Sequence, residues 1–212
     1  MPVEKTTKDK KEITRKFLVR AVLAGFVIGL GGTAYLSVGG GVIGAFLFAI
    51  GLLLVTNRDY ALYTGLVCYL DAKKAAGITI ALIFNLIAII GIGFMVRVMK
   101  PGLVLKASEI CEKKMMESGS EIFLLGIMCG VLIFYGTAVY GLWQLNAAWK
   151  SLMTIICVMV FILCGFEHSI ANTFYFTVAG KITEASTWQY IAVNIIGNAI
   201  GGIFVYRLDS LK

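Results

Sequence analysis

The sequence predicts an all-α membrane protein: six transmembrane helices in a 3+3 inverted repeat, with the second and fifth helices broken. Three observations carry that expectation. Of the 212 residues, 59% are hydrophobic and the mean hydropathy is +0.88, more apolar surface than a soluble domain of this size covers. The apolar residues run in long blocks instead of amphipathic stripes, as expected of segments that face lipid. Two of the blocks are interrupted by polar clusters at corresponding places in the two halves, the pattern of discontinuous helices whose exposed backbone lines a cavity.

Residues 1–16, MPVEKTTKDKKEITRK, are charged and are expected to be a cytoplasmic segment; the apolar run after residue 16 is too long and Gly-rich for a cleavable signal peptide. Residues 17–212 are expected to form one transmembrane domain whose halves meet near residue 106. Phe17 to Val38 is long enough to span, and Gly25, Gly29, Gly31 and Gly32 give it small faces on which other helices pack closely. After Gly39-Gly40-Gly41, the runs Val42–Val55 and Leu62–Leu70 are each too short alone and read as one helix broken at Thr56-Asn57-Arg58-Asp59. Asp71 to Lys74 is a turn, and Gly77 to Met99 spans again. Residues 100–120 read as the longest non-apolar connection.

Glu121 to Trp143 is the fourth expected span, and Ser151 to Gly180 is a second interrupted helix with its break at Gly165–Ser169. Gln189 to Tyr206 is the last, opened by Thr187-Trp188 as an interfacial anchor. Three segments per half invert the second half relative to the first, so the two breaks are expected to meet near the midplane. With both termini inside, twelve Lys and Arg fall on the cytoplasmic side, Arg20 among them, and six outside. That asymmetry favours this orientation, in a cell membrane. Arg58 lies in the first break.

The five cysteines show no metal-ligand spacing and read as small buried hydrophobes, with no cofactor implied. The net charge of +7 lies in residues flanking apolar segments, without interleaved aromatics. It points to membrane topology and excludes a nucleic-acid surface.

The second break, Gly165-Phe166-Glu167-His168-Ser169-Ile170-Ala171-Asn172, holds the single histidine. An ionisable residue at membrane depth is costly unless it faces protein or a water-filled cavity, so His168 is a functional candidate. The competing reading is a buried histidine satisfied by Glu167 or a backbone carbonyl.

This octapeptide resembles the signature of the formate/nitrite transporter family. Leu62-Tyr63-Thr64-Gly65 resembles that family's Leu-Phe-Thr motif, and Asn198-Ala199-Ile200-Gly201-Gly202 and the spacing of the spans are similar as well. The resemblance implies an aquaporin-like homopentamer with one pore per protomer, conducting small monovalent anions or their acids and needing no enzyme chemistry. It implies His168 as the central pore residue, Thr64 as its partner from the first break, and Lys114 as the lysine that draws anions inward. It places Phe48, Leu52, Leu62, Tyr63 and Phe161 at two constrictions, with Glu167 and Asn172 holding the second break. Three departures stand out. Gly130 replaces a common asparagine, implying a lost hydrogen-bond partner near the second break. Ala61 replaces an acidic residue beside the unusual run Asn57-Arg58-Asp59, and the chain is short for the family.

Physical chemistry suggests the same route. An unpaired anion crossing an apolar constriction meets a Born cost of order 20 kcal/mol, several even after relaxation, whereas protonating an acid of pKa about 4 at pH 7 costs about 4 kcal/mol. Passage as the neutral acid, or with a proton past His168, is therefore favoured. Other readings stand beside these: Lys114 with Lys113 as a solvated pair, Phe48, Leu52 and Phe161 as lipid-facing or core residues, Arg58 with Asp59 as a structural ion pair or Arg58 as an electrostatic site. An intramembrane hydrolase using Ser169 and His168 is disfavoured, because adjacent helical residues point about 100° apart. A non-conducting scaffold or sensor is the remaining alternative.

Overall fold

The computed structural model of the chain describes residues 7–138, 141 and 144–211. These form nine α-helices: α1 (Thr7–Ser37), α2 (Gly41–Asn57), α3 (Tyr63–Leu66), α4 (Ala75–Met99), α5 (Gly102–Met115), α6 (Gly119–Ala138), α7 (Ala147–Leu163), α8 (Ser169–Ala179) and α9 (Ala185–Asp209). A 3-10 turn over Val67–Tyr69 extends α3. Trp143, the expected end of the fourth span, and Lys5 and Lys212 from the charge count lie outside the described residues.

Four helices are long and apolar enough to cross a bilayer: Thr14–Ser37 of α1, α4, α6 and α9. The apolar helices α2 and α7 have 17 residues each, about 26 Å at 1.5 Å per residue, and both stop at the breaks. Apolar side chains are exposed in rows along the outside, as with Val19, Val22, Phe26 and Leu30 on α1 and Ile80, Ile83 and Ile87 on α4. Such a surface is stable in lipid and unstable in water.

The small residues of α1 set how closely its neighbours approach. A Cβ on Gly25 would lie 2.5 Å from the Asn85 carbonyl oxygen of α4, and one on Gly31 would lie 2.6 Å from the Phe48 carbonyl of α2. The helices α6 and α9 meet in the same way through Gly130 and Gly201, where an added Cβ would overlap the backbone of the opposite helix. Close backbone contact of this kind replaces the hydrophobic drive that is lost inside a membrane.

The two breaks are built alike. Helix α2 ends with Asp59 in the left-handed region (φ 53°), and helix α7 ends with Gly165 there (φ 70°). In each, the next residue donates its N–H back to the carbonyl five positions earlier, Tyr60 to Val55 and Phe166 to Phe161, both at 2.8 Å. Asp59 and Gly165 donate to Thr56 and Ile162 at 3.4 and 3.2 Å. This double closure satisfies the terminal carbonyls of an α-helix and turns the chain sharply.

Residues 100–120 are not a simple connection, because most of the segment forms α5. Leu103, Ala107 and Cys111 repeat at four-residue spacing and are buried, while Glu109, Glu112 and Lys113 face outward. A window sized for membrane spans averages this one-sided pattern away. Lys113 and Lys114 occupy the last turn of α5, where the helix dipole favours cations. Lys106 donates to the Leu36 carbonyl at the end of α1 (3.1 Å), and Arg97 to the Val178 carbonyl at the end of α8 (2.8 Å). Both residues entered the charge count and both also cap helices. Of the five cysteines, four are buried and Cys164 is exposed beside the second break.

Candidate functional site

The two helix starts that come after the breaks bring Thr64 and His168 together. Thr64 lies in α3 and is fully buried; His168 is the N-cap of α8 and is 2% exposed. Thr64 Oγ1 stands 3.1 Å from His168 Nε2. The other ring nitrogen, Nδ1, accepts the Ala171 backbone N–H at 3.1 Å. A neutral imidazole whose Nδ1 accepts must carry its proton on Nε2. His168 therefore donates to the Thr64 oxygen, which leaves the threonine proton available to a third group. An imidazolium would forfeit the cap to Ala171. Neither Glu167 nor a backbone carbonyl satisfies the ring, and with both nitrogens engaged it has none to offer Ser169.

His168 lines a cavity of about 80 Å³ together with Tyr35, Phe48, Ile110, Lys114, Phe161 and Asn172. Phe161 stacks on the imidazole (centroids 5.7 Å apart, planes at 25°), and Phe48 meets Phe161 edge-on at 6.1 Å. A second, wider cavity of about 400 Å³ opens at the opposite end and is lined by Val55, Thr56, Asp59, Leu62, Tyr69 and Thr137. Helix α2 thus contributes Phe48 to one cavity and Val55 to the other. Leu52, 1% exposed, sits one turn from Phe48 in the partition between them. Tyr63, expected at a constriction, lines neither cavity. Its ring packs with Val67 and Ile78, and its hydroxyl points to the Ile195 carbonyl at 3.4 Å. Consecutive residues of a helix diverge by about 100°, so with Leu62 facing the cavity Tyr63 faces α4 and α9.

Lys114 is not a solvated partner of Lys113. Its side chain is 15% exposed, and Nζ lies 2.6 Å from both oxygens of Glu167, which is 1% exposed. A buried carboxylate of this kind persists only when paired and hydrogen-bonded. Asn172 Nδ2 completes the set by donating to Glu167 Oε2 and to Asn194 Oδ1. The Lys114 ammonium therefore reaches the edge of the His168 cavity already balanced by one carboxylate.

The backbone of the second break is satisfied by amides from α9. The Glu167 carbonyl accepts from Asn194 Nδ2 and Asn198 Nδ2, both at 2.7 Å, and Asn198 Oδ1 accepts from the Ser169 N–H at 2.9 Å. The backbone of the break thus keeps its partners without a side chain at 130, while Ser169 Oγ is buried there without a hydrogen bond among the described residues. An asparagine at 130 would drive its Cβ into the Asn198 carbonyl, so the tight α6–α9 contact and the amides of α9 go together. Gly130→Asn should lower stability by about 1–3 kcal/mol through overpacking, read as a fall in melting temperature in detergent.

Asn85 on α4 does the same for the first break. Its Oδ1 accepts from the Tyr63 N–H at 2.7 Å, and its Nδ2 donates to the carbonyls of Ala61 (3.0 Å) and Ala21 (2.7 Å). Asn85 and Asn194 were not singled out from the sequence. Their signal is a carboxamide within an apolar span, a residue type that membrane helices keep for bonding across helices. Arg58 does not pair with Asp59; Arg20 of α1 does, with Nη2 at 2.5 Å from Asp59 Oδ2. Arg58 instead ends α2, donating its backbone N–H to the Leu54 carbonyl, and is exposed. The left-handed turn at Asp59 aims that carboxylate at α1, where Arg20 is one residue before the Ala21 carbonyl that Asn85 binds.

Comparison with known proteins places this arrangement. A chain described as an FNT family ion channel superposes with a TM-score of 0.82 at 19% identity, covering 95% of this chain and 91% of that one, which speaks to the fold. A pentameric formate channel with formate bound superposes with a TM-score of 0.78 at 27% identity, over 95% of this chain and 99% of the other. No curated protein matches the chain. The family profile described as formate/nitrite transporter matches residues 2–208. Both of these solved structures are described as channels and not as enzymes, and the chain belongs to the formate/nitrite transporter family.

Proposed function

We propose that the protein is a membrane channel for small monovalent weak acids, with formate the first candidate and nitrite or hydrosulfide next. The permeant species crosses as the neutral acid, or with a proton, past the Thr64–His168 pair. The observation that carries this reading is that pair itself, a hydroxyl and an imidazole N–H buried between two cavities and framed by Phe48, Phe161 and Leu52. Bare anions are rejected by the apolar partition, since among the described residues no cation stands within it to offset desolvation. Lys114 serves as the positive group at the mouth of the narrower cavity, with Glu167 and Asn172 fixing its place. Leu62 narrows the wider cavity.

The reading extends to the assembly. The like-built breaks of α2 and α7 support a 3+3 inverted repeat of six spans, with α2–α3 and α7–α8 as its discontinuous members. The pentameric relative at 27% identity supports a homopentamer with one pore in each protomer. The Lys and Arg asymmetry supports a cytoplasmic side for both termini, and in that orientation the α5 end and the Lys114 cavity face outward.

Flux into proteoliposomes across a pH series tests the function. Formate, nitrite and hydrosulfide should enter faster as pH falls, chloride should not enter, and His168→Ala should alter the weak-acid flux. Chloride conduction without pH dependence would mean that the anion crosses bare. Absence of all flux would favour a non-conducting scaffold.

A further inference from the structure

Three residues after Lys114, in the link between α5 and α6, lies Glu117, a half-buried acid outside the pathway described so far. Its Oε2 accepts the Tyr190 hydroxyl at 3.0 Å. Tyr190, on α9, is 3% exposed and packs edge-on against Phe176 with ring centroids 5.3 Å apart. One turn along α9 from Tyr190, Asn194 donates to the Glu167 carbonyl and accepts from Asn172, which holds the Glu167 carboxylate. Glu117 and Tyr190 also line an open crevice of about 300 Å³ with Met115, Gly119, Ile122 and Gln189. That crevice shares no residue with the His168 cavity. Protons in the crevice reach Glu117 without passing through the pore.

We propose that Glu117, acting through Tyr190, is a second proton-exchanging group of the pathway, whose protonation loosens Lys114 from Glu167 and so raises anion capture in the His168 cavity. The proposal rests on the reading that anions approach past Lys114. The groups facing Glu117 are Glu167 from the second break, Tyr190 from α9, Lys114 from α5 and Glu121 from α6. With Glu117 ionised, Lys114 faces two carboxylates and the cluster carries a net negative charge that repels anions. Tyr190 then donates to Glu117, and Glu167 depends on Lys114. When Glu117 takes a proton from crevice water, its new O–H donates to the Tyr190 oxygen and Tyr190 turns its own proton to Glu167. The cluster becomes neutral, Glu167 has gained a donor, and the Lys114 charge is freer to act on the cavity. The bond made is the Glu117 O–H and the bond broken is one O–H of a hydronium ion in the crevice, which leaves water; the remaining changes are turns of hydrogen bonds. Burial and the neighbouring Glu167 charge push the Glu117 carboxyl above its ordinary range, against the pull of Tyr190 and Lys114, so it titrates closer to neutral pH than a free side chain.

The test is initial formate uptake by proteoliposomes at outer pH between about 5.5 and 7.5, with half-saturation expressed as formate anion. In wild type this value should fall about tenfold toward acid. Glu117→Gln should hold the low value at every pH, and Tyr190→Phe the high one, whereas a merely structural role would leave the pH profile in place. A wild-type profile in Glu117→Gln overturns the proposal. Infrared difference spectra supply a readout that needs no flux. A carboxyl band titrating above the ordinary glutamate range should be present in wild type and shifted by Tyr190→Phe. Formate flux without that band overturns the proposal. The band without flux of any weak acid supports the proton exchange at Glu117 and overturns the transport reading instead.

Discussion

Lys114→Met should destabilise the protein by about 3–5 kcal/mol, the usual result of removing one partner from a buried ion pair. Glu167 would keep Asn172 as a donor but would lose the ammonium 2.6 Å from each of its oxygens. With the carboxyl 1% exposed, water cannot replace what is lost. The double variant Lys114→Met/Glu167→Gln should recover most of that stability, because a neutral amide tolerates the same site. Thermal unfolding in detergent measures the first effect, and formate uptake by the double variant separates two roles for Lys114. If the lysine only balances Glu167, uptake returns with stability. If its charge also gathers anions, the stable double variant remains slow at low formate.

Asn85→Ala is expected to be the most damaging single truncation on the other half of the molecule. It leaves the Tyr63 N–H and the Ala61 carbonyl buried without partners, at about 1–3 kcal/mol for each unsatisfied group. The Ala21 carbonyl loses less, since it lies within α1. Asn198→Ala should cost less than Asn85→Ala, because the Glu167 carbonyl keeps Asn194 and chiefly the Ser169 N–H is orphaned. Hydrogen exchange should show the damage locally, at residues 61–66 in one variant and 167–171 in the other. Equal loss in both would mean that the shared carbonyl gives no protection. The first variant should also reduce flux, since Thr64 is positioned by the turn that Asn85 holds.

Much of the fold is legible in the chain alone. Hydropathy located the long helices, and the polar interruptions located both breaks, because a chain in lipid must satisfy every backbone group within itself and tolerates irregularity only where protein surrounds it. The small faces of α1 were legible for the same reason. Less visible was α5, whose one-sided burial is too short and too polar for a window tuned to membrane spans. Ends were also misjudged: α9 begins at Ala185, where polar residues continue a helix that hydropathy starts at Gln189.

At the site, the resemblance supplied the pairing of Thr64 with His168 and of Glu167 with Asn172, and the other partnerships were not readable. His168, Glu167 and Asn172 stand out in the polar interruption itself, whereas Thr64 and Lys114 came through the family resemblance; the structure pairs Thr64 with His168 and joins Lys114 and Asn172 to Glu167. Arg58 looked like the partner of Asp59 because they are neighbours in the chain. The left-handed turn at Asp59 points its carboxylate instead to Arg20, a residue 39 positions away. Gly130 looked like a missing donor; the close α6–α9 approach leaves no room for a side chain there, and Asn194 and Asn198 reach the backbone of the break from the opposite helix while Ser169 Oγ stays unpaired among the described residues. The sequence by itself determined a membrane protein with two polar interruptions, since desolvation restricts which residues a span tolerates, and its motifs carried the family resemblance. Only the tertiary structure decided which carboxylate holds which cation, which amide closes which break, and that His168 donates through Nε2. Each of those is a choice of direction over a few ångströms between segments far apart in the chain, and composition carries no record of it.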